Sequence, residues 1–79
     1  MIVEVERARL TNVIRLYGVL ETNNAEEIYA EINRAIAAKV RIVIIDITSL
    51  KFIRSGGDKI LEECHKKAEK FGIKLFVDR

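Results

Sequence analysis

The chain has 79 residues, of which 49% are hydrophobic and 33% charged, with four glycines and no proline; that is the balance of one small compact domain spanning residues 1–79 rather than of a disordered segment. Fourteen Lys and Arg against twelve Asp and Glu leave a formal charge of +2 with no long block of one sign, which argues against nucleic acid as a partner. A single cysteine excludes an intrachain disulfide, no apolar run approaches the roughly 20 residues of a membrane span, and the acidic start MIVEVERAR is unlike a secretory signal, so a cytoplasmic protein with no membrane partner is expected.

Residues 1–18 alternate apolar and polar side chains, Ile2, Glu4 and Glu6 against Val3 and Val5, then Ile14 and Leu16 against Arg15 and Tyr17. A period of two predicts two strands, and Thr11-Asn12 reads as the turn of a hairpin between them. From Ala25 the period becomes helical through Ile28, Ile32, Ala35 and Ile36, with Asn24 as the capping residue, Glu27 completing a capping box and an end near Lys39. RIVIID, Arg41 to Asp46, is a continuous β-branched run, as in a central strand covered on both faces or nearly so. A loop is expected from Ile47 to Gly57. A second helix then follows, with Ile60, Leu61, Cys64, Ala68 and Phe71 on its apolar face and Glu62–Lys66 and Glu63–Lys67 as i,i+4 pairs. Gly72 supplies a left-handed terminus, and IKLFVD is the last strand.

The order β-β-α-β-α-β contains two β-α-β units, whose right-handed crossovers imply a four-stranded, mostly parallel α/β sheet behind an N-terminal hairpin. Adding each strand beside the last places both helices on one face. The other face, with Val13, Arg15, Tyr17, Lys74, Phe76 and either Val43 and Ile45 or their neighbours, is then left open, and a homodimer through that face or through the edge of the last strand is expected.

GVLETNNAEEI, Gly18 to Ile28, resembles the strand-loop-helix opening of the STAS domain of bacterial anti-sigma factor antagonists, whose usual pattern is G-x-L-D, a short loop and A-x-x-L. IIDITSLKFIRSGGDKIL, Ile44 to Leu61, is similar to that family's second signature, D-L-x-x-V-x-F-x-D-S-S-G. The resemblance covers most of the chain, the family's last helix and strand having no counterpart. It implies a STAS-like fold and a protein partner that is a switch kinase and anti-sigma factor, released when the serine matching Ser55 is phosphorylated. Gly57 matches the turn glycine and Asp46 the strand-end acid, whereas Arg54 stands where the family has an acid and Gly56 where it has a second serine.

Around Ser55, both a phosphate site and a plain helix start fit the residues. Ser55 with Asp58 three residues on has the form of an N-cap, and Gly56 and Gly57 permit close backbone approach. A phosphate there would meet free amides and the positive end of the helix dipole. Glu21, which matches the family's loop acid, reads either as facing this turn across the strand ends or as a plain surface carboxylate, and Glu21, Asn24, Arg54, Gly56, Gly57 and Asp58 are the candidate partner- or anion-binding residues. Arg54, Gly56 and Gly57 also allow a small anion or nucleotide binder, and a trimmed or engineered minimal domain that only folds and self-associates is a further reading. Cys64 reads as a core side chain and His65 as a solvated one. Asp46 is expected to tie down the backbone after it. No serine-histidine-acid set, paired-carboxylate cleft, metal-ligand set or phosphate-binding loop stands out, so an enzyme, a cofactor and a metal are not expected.

Overall fold

The computed structural model describes residues 1–79. Its elements are β1 (Ile2–Arg7), β2 (Thr11–Leu20), a short 3-10 turn (Thr22–Asn24), α1 (Ala25–Ala37), β3 (Ile42–Ile53), α2 (Gly57–Lys70) and β4 (Lys74–Asp78). The four strands form one sheet in the order β1-β2-β3-β4, with β1 antiparallel to β2 and the other pairs parallel.

Both helices cover the same face. Along β2 the residues Asn12, Ile14, Leu16 and Leu20 are buried, and along β3 Val43, Ile45 and Ile47, so each strand presents one side to the helices. They meet Ile28, Ile32 and Ala35 of α1 and Ile60, Leu61, Cys64 and Ala68 of α2 in a single core. The central strand is therefore covered on one face, not two: Ile42, Ile44 and Asp46 are half-buried on the open side, so the continuous β-branched run reflects strand propensity there rather than burial. Cys64 is fully buried, and that burial pushes its thiol up to about 12, as befits a core side chain. Phe71, expected on the buried helix face, is 55% exposed at the end of α2.

Three local expectations are corrected and one is refined. The hairpin turn lies at Ala8–Leu10, where the Ala8 amide donates to Thr11 O at 2.9 Å; Thr11 and Asn12 belong to β2, and Asn12 is buried. The helix α1 ends at Ala37, two residues short of Lys39, and Lys39 takes a left-handed conformation (φ 58°). Asn24 stands at the capping position of α1 as expected but makes no side-chain cap bond there; it is also the third residue of the preceding turn, and its side chain serves the Glu21 amide instead. The loop expected from Ile47 is strand as far as Ile53.

That lengthened strand is accommodated by two register shifts. Arg15 pairs with Asp46 but Tyr17 with Ser49, and Gly18 pairs with Leu50 but Val19 with Phe52, so β3 holds one extra residue at each point. Such bulges bend a strand and raise its twist. At the first of them the Asp46 carboxylate accepts from the Thr48 amide at 2.9 Å and the Thr48 hydroxyl at 2.6 Å. The expected tie is present, inside a strand rather than at its end. These bonds hold the Asp46 carboxyl below its ordinary value of 3.8.

Glu31, which nothing in the sequence sets apart from the other helix acids, has a side chain only 8% exposed on α1. Its carboxylate accepts from Arg7 of β1 at 2.9 Å and also pairs with Arg34, tying the hairpin to the helix layer. The two arginines are more than half exposed, so removing the acid strands no buried cation, whereas removing both arginines strands a buried carboxylate. Glu31→Ala should cost about 1 kcal/mol, and the Arg7→Ala/Arg34→Ala double variant about 2 kcal/mol or more, compared by urea midpoints. Acid titration supplies a second check. A depressed carboxyl contributes stability above its unfolded value that is lost as pH falls through the folded one. The stability gap between wild type and Asp46→Ala should therefore narrow as pH drops below 3.8.

Candidate functional site

β2 and β3 are parallel and end together, Leu20 beside Ile53. The two loops that leave them, Glu21–Asn24 and Arg54–Gly56, consequently lie side by side at the carboxyl end of the sheet, where open α/β sheets commonly place their sites.

The first loop is set by the bonds of the Asn24 side chain. The Glu21 amide donates to Asn24 Oδ1 at 3.0 Å, and Asn24 Nδ2 donates to Val19 O at 2.8 Å. Asn24 thus orients Glu21 rather than pointing freely outward. Glu21 faces the second loop, with Oε1 3.7 Å from Arg54 Nη1.

The second loop is a tight three-residue connection. The Arg54 amide donates to Leu20 O at 2.9 Å, tying the turn to β2, and the Gly57 amide returns to Arg54 O at 2.8 Å. Gly56 occupies the capping position of α2 with φ 89°, a conformation that L-residues avoid, and a Cβ there would collide with Thr22 Oγ1. A Cβ on Gly57 would lie 3.0 Å from Leu20 O and run into Ile53 Cγ2. Gly56 is explained first by its positive φ and Gly57 by close packing on Leu20 and Ile53. The positive φ alone calls for glycine at 56, and the Thr22 hydroxyl is the group that a Cβ there would displace; nothing in the sequence around Thr22 sets it apart.

Ser55 is not the capping residue. That place belongs to Gly56, and α2 starts without a side-chain cap. Ser55 is instead exposed at the tip of the turn, between exposed Arg54 and the exposed Asp58 of the first helical turn. Of the amides that open α2, Gly57 is bonded to Arg54 O and Ile60 to Gly56 O, which leaves those of Asp58 and Lys59 as the first-turn donors next to Ser55. Of the residues singled out by sequence, Glu21, Asn24, Arg54, Ser55, Gly56, Gly57 and Asp58 all fall at this one end of the sheet. Cys64 and His65 do not: His65 lies on α2 with Nδ1 3.8 Å from Glu69, and Asp46 serves the bulge. No group of three or more His, Cys, Asp or Glu is arranged to hold a metal ion.

A four-stranded mixed sheet with two helices on one face and paired turns at its carboxyl end defines a class of α/β domain, and comparison with known proteins gives the family. The family model described as the STAS domain matches residues 3–78, and the chain belongs to that family. The solved anti-sigma factor antagonist SpoIIAA in its unphosphorylated form is 28% identical with a TM-score of 0.79, the alignment covering 96% of this chain and 71% of that one. The Bacillus cell fate determinant SpoIIAA in its phosphorylated form is 29% identical with a TM-score of 0.76, covering 94% of this chain and 68% of that one. The structure of Mglu has the same fold with a TM-score of 0.84 at 19% identity, and this chain spans 19% of its length. No curated protein sequence matches.

Two glycine substitutions separate strain from collision. Gly72, at the end of α2, has φ 78° and open space around its Cβ position, so Gly72→Ala should cost about 1 kcal/mol through backbone strain alone. Gly56→Ala adds the collision with Thr22 and should cost about 2–3 kcal/mol, read from thermal or urea midpoints.

Proposed function

We propose that this domain is a protein-binding module of the anti-sigma factor antagonist kind, acting in the cytoplasm without a cofactor. Its binding surface is the paired turns at the carboxyl end of the sheet, with Glu21, Arg54, Ser55 and Asp58 outermost and Asn24, Gly56 and Gly57 shaping the backbone beneath. The partner class is a switch kinase that is also an anti-sigma factor, and phosphorylation of Ser55 is the switch.

The observation that carries this reading is the position of Ser55: exposed at a turn tip, relieved of capping by Gly56 and adjacent to the Asp58 and Lys59 amides. A side chain with no part in starting the helix is free to be modified. The similarity to SpoIIAA, known in unphosphorylated and phosphorylated forms, supports the same choice. A phosphoryl group would add nearly two negative charges within reach of helix amides and of the Arg54 guanidinium. Arg54 is already paired with Glu21 at a loose 3.7 Å, and a phosphate is the stronger acceptor. Modification would therefore draw Arg54 from Glu21 and leave an uncompensated carboxylate beside the new charge. A partner fitted to the unmodified surface then meets repulsion.

Binding to a family switch kinase, measured by titration calorimetry, tests this. Ser55→Ala should bind like wild type, and Ser55→Asp should bind at least about tenfold more weakly with an unchanged unfolding midpoint. Equal binding by both variants removes Ser55 from the switch. Arg54→Asp restores the acid found at this place in the family and should raise the rate at which such a kinase modifies Ser55; an equal or slower rate shows that Arg54 does not limit phosphorylation.

A further inference from the structure

β4 is the outer strand of the sheet, with β3 on one side. The Lys74 amide donates to Arg41 O at 3.0 Å, which sets the parity of the whole strand. Backbone groups of Lys74, Phe76 and Asp78 point toward β3, and those of Leu75 and Val77 point out of the sheet edge. The side chains alternate between the faces: Leu75 is buried under the helices and Val77 packs against the core, while Lys74, Phe76 and Asp78 are exposed on the open face.

Set antiparallel to itself about Phe76, the sequence Lys74-Leu75-Phe76-Val77-Asp78 is self-complementary. Lys74 falls opposite Asp78, Leu75 opposite Val77, and Phe76 opposite its own copy. The backbone parity agrees with the side chains. Leu75 and Val77, which carry the outward-pointing groups, become the hydrogen-bonded pairs, and Phe76 becomes the non-hydrogen-bonded pair, in which side chains approach most closely. We propose that a second copy of this chain pairs with β4 along this edge, about a two-fold axis through Phe76, to form a continuous eight-stranded sheet.

Three further features fit this occupant. Phe76 is 53% exposed and lies in register beside Ile44 and then Val13, so pairing would join two half-rows into one apolar row across the dimer. Asp78 lies in register beside Asp46, and neither Lys74 nor Asp78 is among the ion pairs formed within the chain, so a lysine brought to the outer side of Asp78 alternates the charges of that row. The opposite edge of the sheet is β1, whose open face carries Glu4 and Glu6; pairing two copies of it about Val5 sets glutamate against glutamate, and about Glu4 sets Glu4 against itself. Centred on Val3 the β1 edge pairs only Ile2 with Glu4 and Met1 with Val5, so its longer registers set glutamates together while β4 is self-complementary throughout, which favours closure at two copies.

Sedimentation of the 79-residue protein from micromolar to millimolar concentration should show a 9.0 kDa species in equilibrium with one of twice that mass. Lys74→Asp or Asp78→Lys alone should weaken the dimer by about tenfold or more, because each places two like-charge pairs in the interface. The double swap Lys74→Asp/Asp78→Lys should restore it, and an equimolar mixture of the two single variants should form the heterodimer in preference to either homodimer. Val77→Pro removes an amide that points away from β3 and should give a folded monomer, with the circular dichroism of the parent. A monomer at every concentration overturns the proposal. So does a dimer indifferent to the charge reversals, or a series of larger species growing with concentration, which would signify β1 of one copy added to β4 of the next.

Discussion

The pairing of β2 with β3 sets the level at which two strands stop, and the arrangement at the carboxyl end of the sheet follows from it. Leu20 and Ile53 are in register, and the carbonyl of Leu20 accepts the amide of Arg54. With the two exits locked at one level, the loops after them have no room to separate. The collisions a Cβ would meet at Gly56 and Gly57 are consequences of that closeness, with Thr22 on one side and Leu20 and Ile53 on the other. The two bulges serve the same end, since β3 holds two residues more than β2 over the paired stretch and the extra length is taken up by local bends. Asp46, by fixing the Thr48 amide and hydroxyl, holds the first of those bends in place.

A sheet covered on one face must make its other face tolerable to water. Here that is done with polar side chains set among the apolar ones. Tyr17 donates to Glu4 at 2.8 Å, which together with burial raises its phenol above the ordinary value of 10.0. Arg15 lies between Glu6 at 3.4 Å and Asp46 at 3.8 Å. Ion pairs this exposed add little stability. What they do is set charged and polar groups between apolar rows, Val13, Ile44 and Phe76 forming one of them. The expectation of an open face with large apolar residues is met at Phe76, Phe52 and Ile2, and moderated by the charges between them.

The element order and both helices were legible because the hydrophobic period changes cleanly from 2 to 3.6 and back, and the family signatures in Gly18–Ile28 and Ile44–Leu61 point the same way. The ends of elements were less legible, for reasons that differ residue by residue. Thr48, Ser49 and Lys51 interrupt the apolar run of β3, so its second half reads as loop; nothing local says that β2 continues alongside to pair with it. Asn24 has the chemistry of a helix cap, but the short turn ahead of α1 uses its amide first. Glu31 reads as surface charge on a helix, since Arg7, its partner, is 24 residues away. Glu21, Arg54 and Ser55 could be named from motif positions, whereas Thr22 entered the site only through a contact between loops.

The departure of this chain from the usual family pattern has a local electrostatic meaning. With an acid at position 54 as well as at position 21, two carboxylates would face each other across the strand ends, and a phosphate on the neighbouring serine would add a third negative charge. With arginine there, the backbone of residue 54 is still held by Leu20 O, so its side chain leaves the turn from the same point; the guanidinium reaches Glu21, and the pair is neutral as a unit. The helix amides of Asp58 and Lys59 remain as donors whatever residue 54 is. Arg54 therefore changes the charge of this surface without changing the backbone that presents Ser55. Conformation at this site is governed by Gly56, Gly57 and Asn24, and charge by Glu21, Arg54 and Asp58, so either set can be altered with the other left in place.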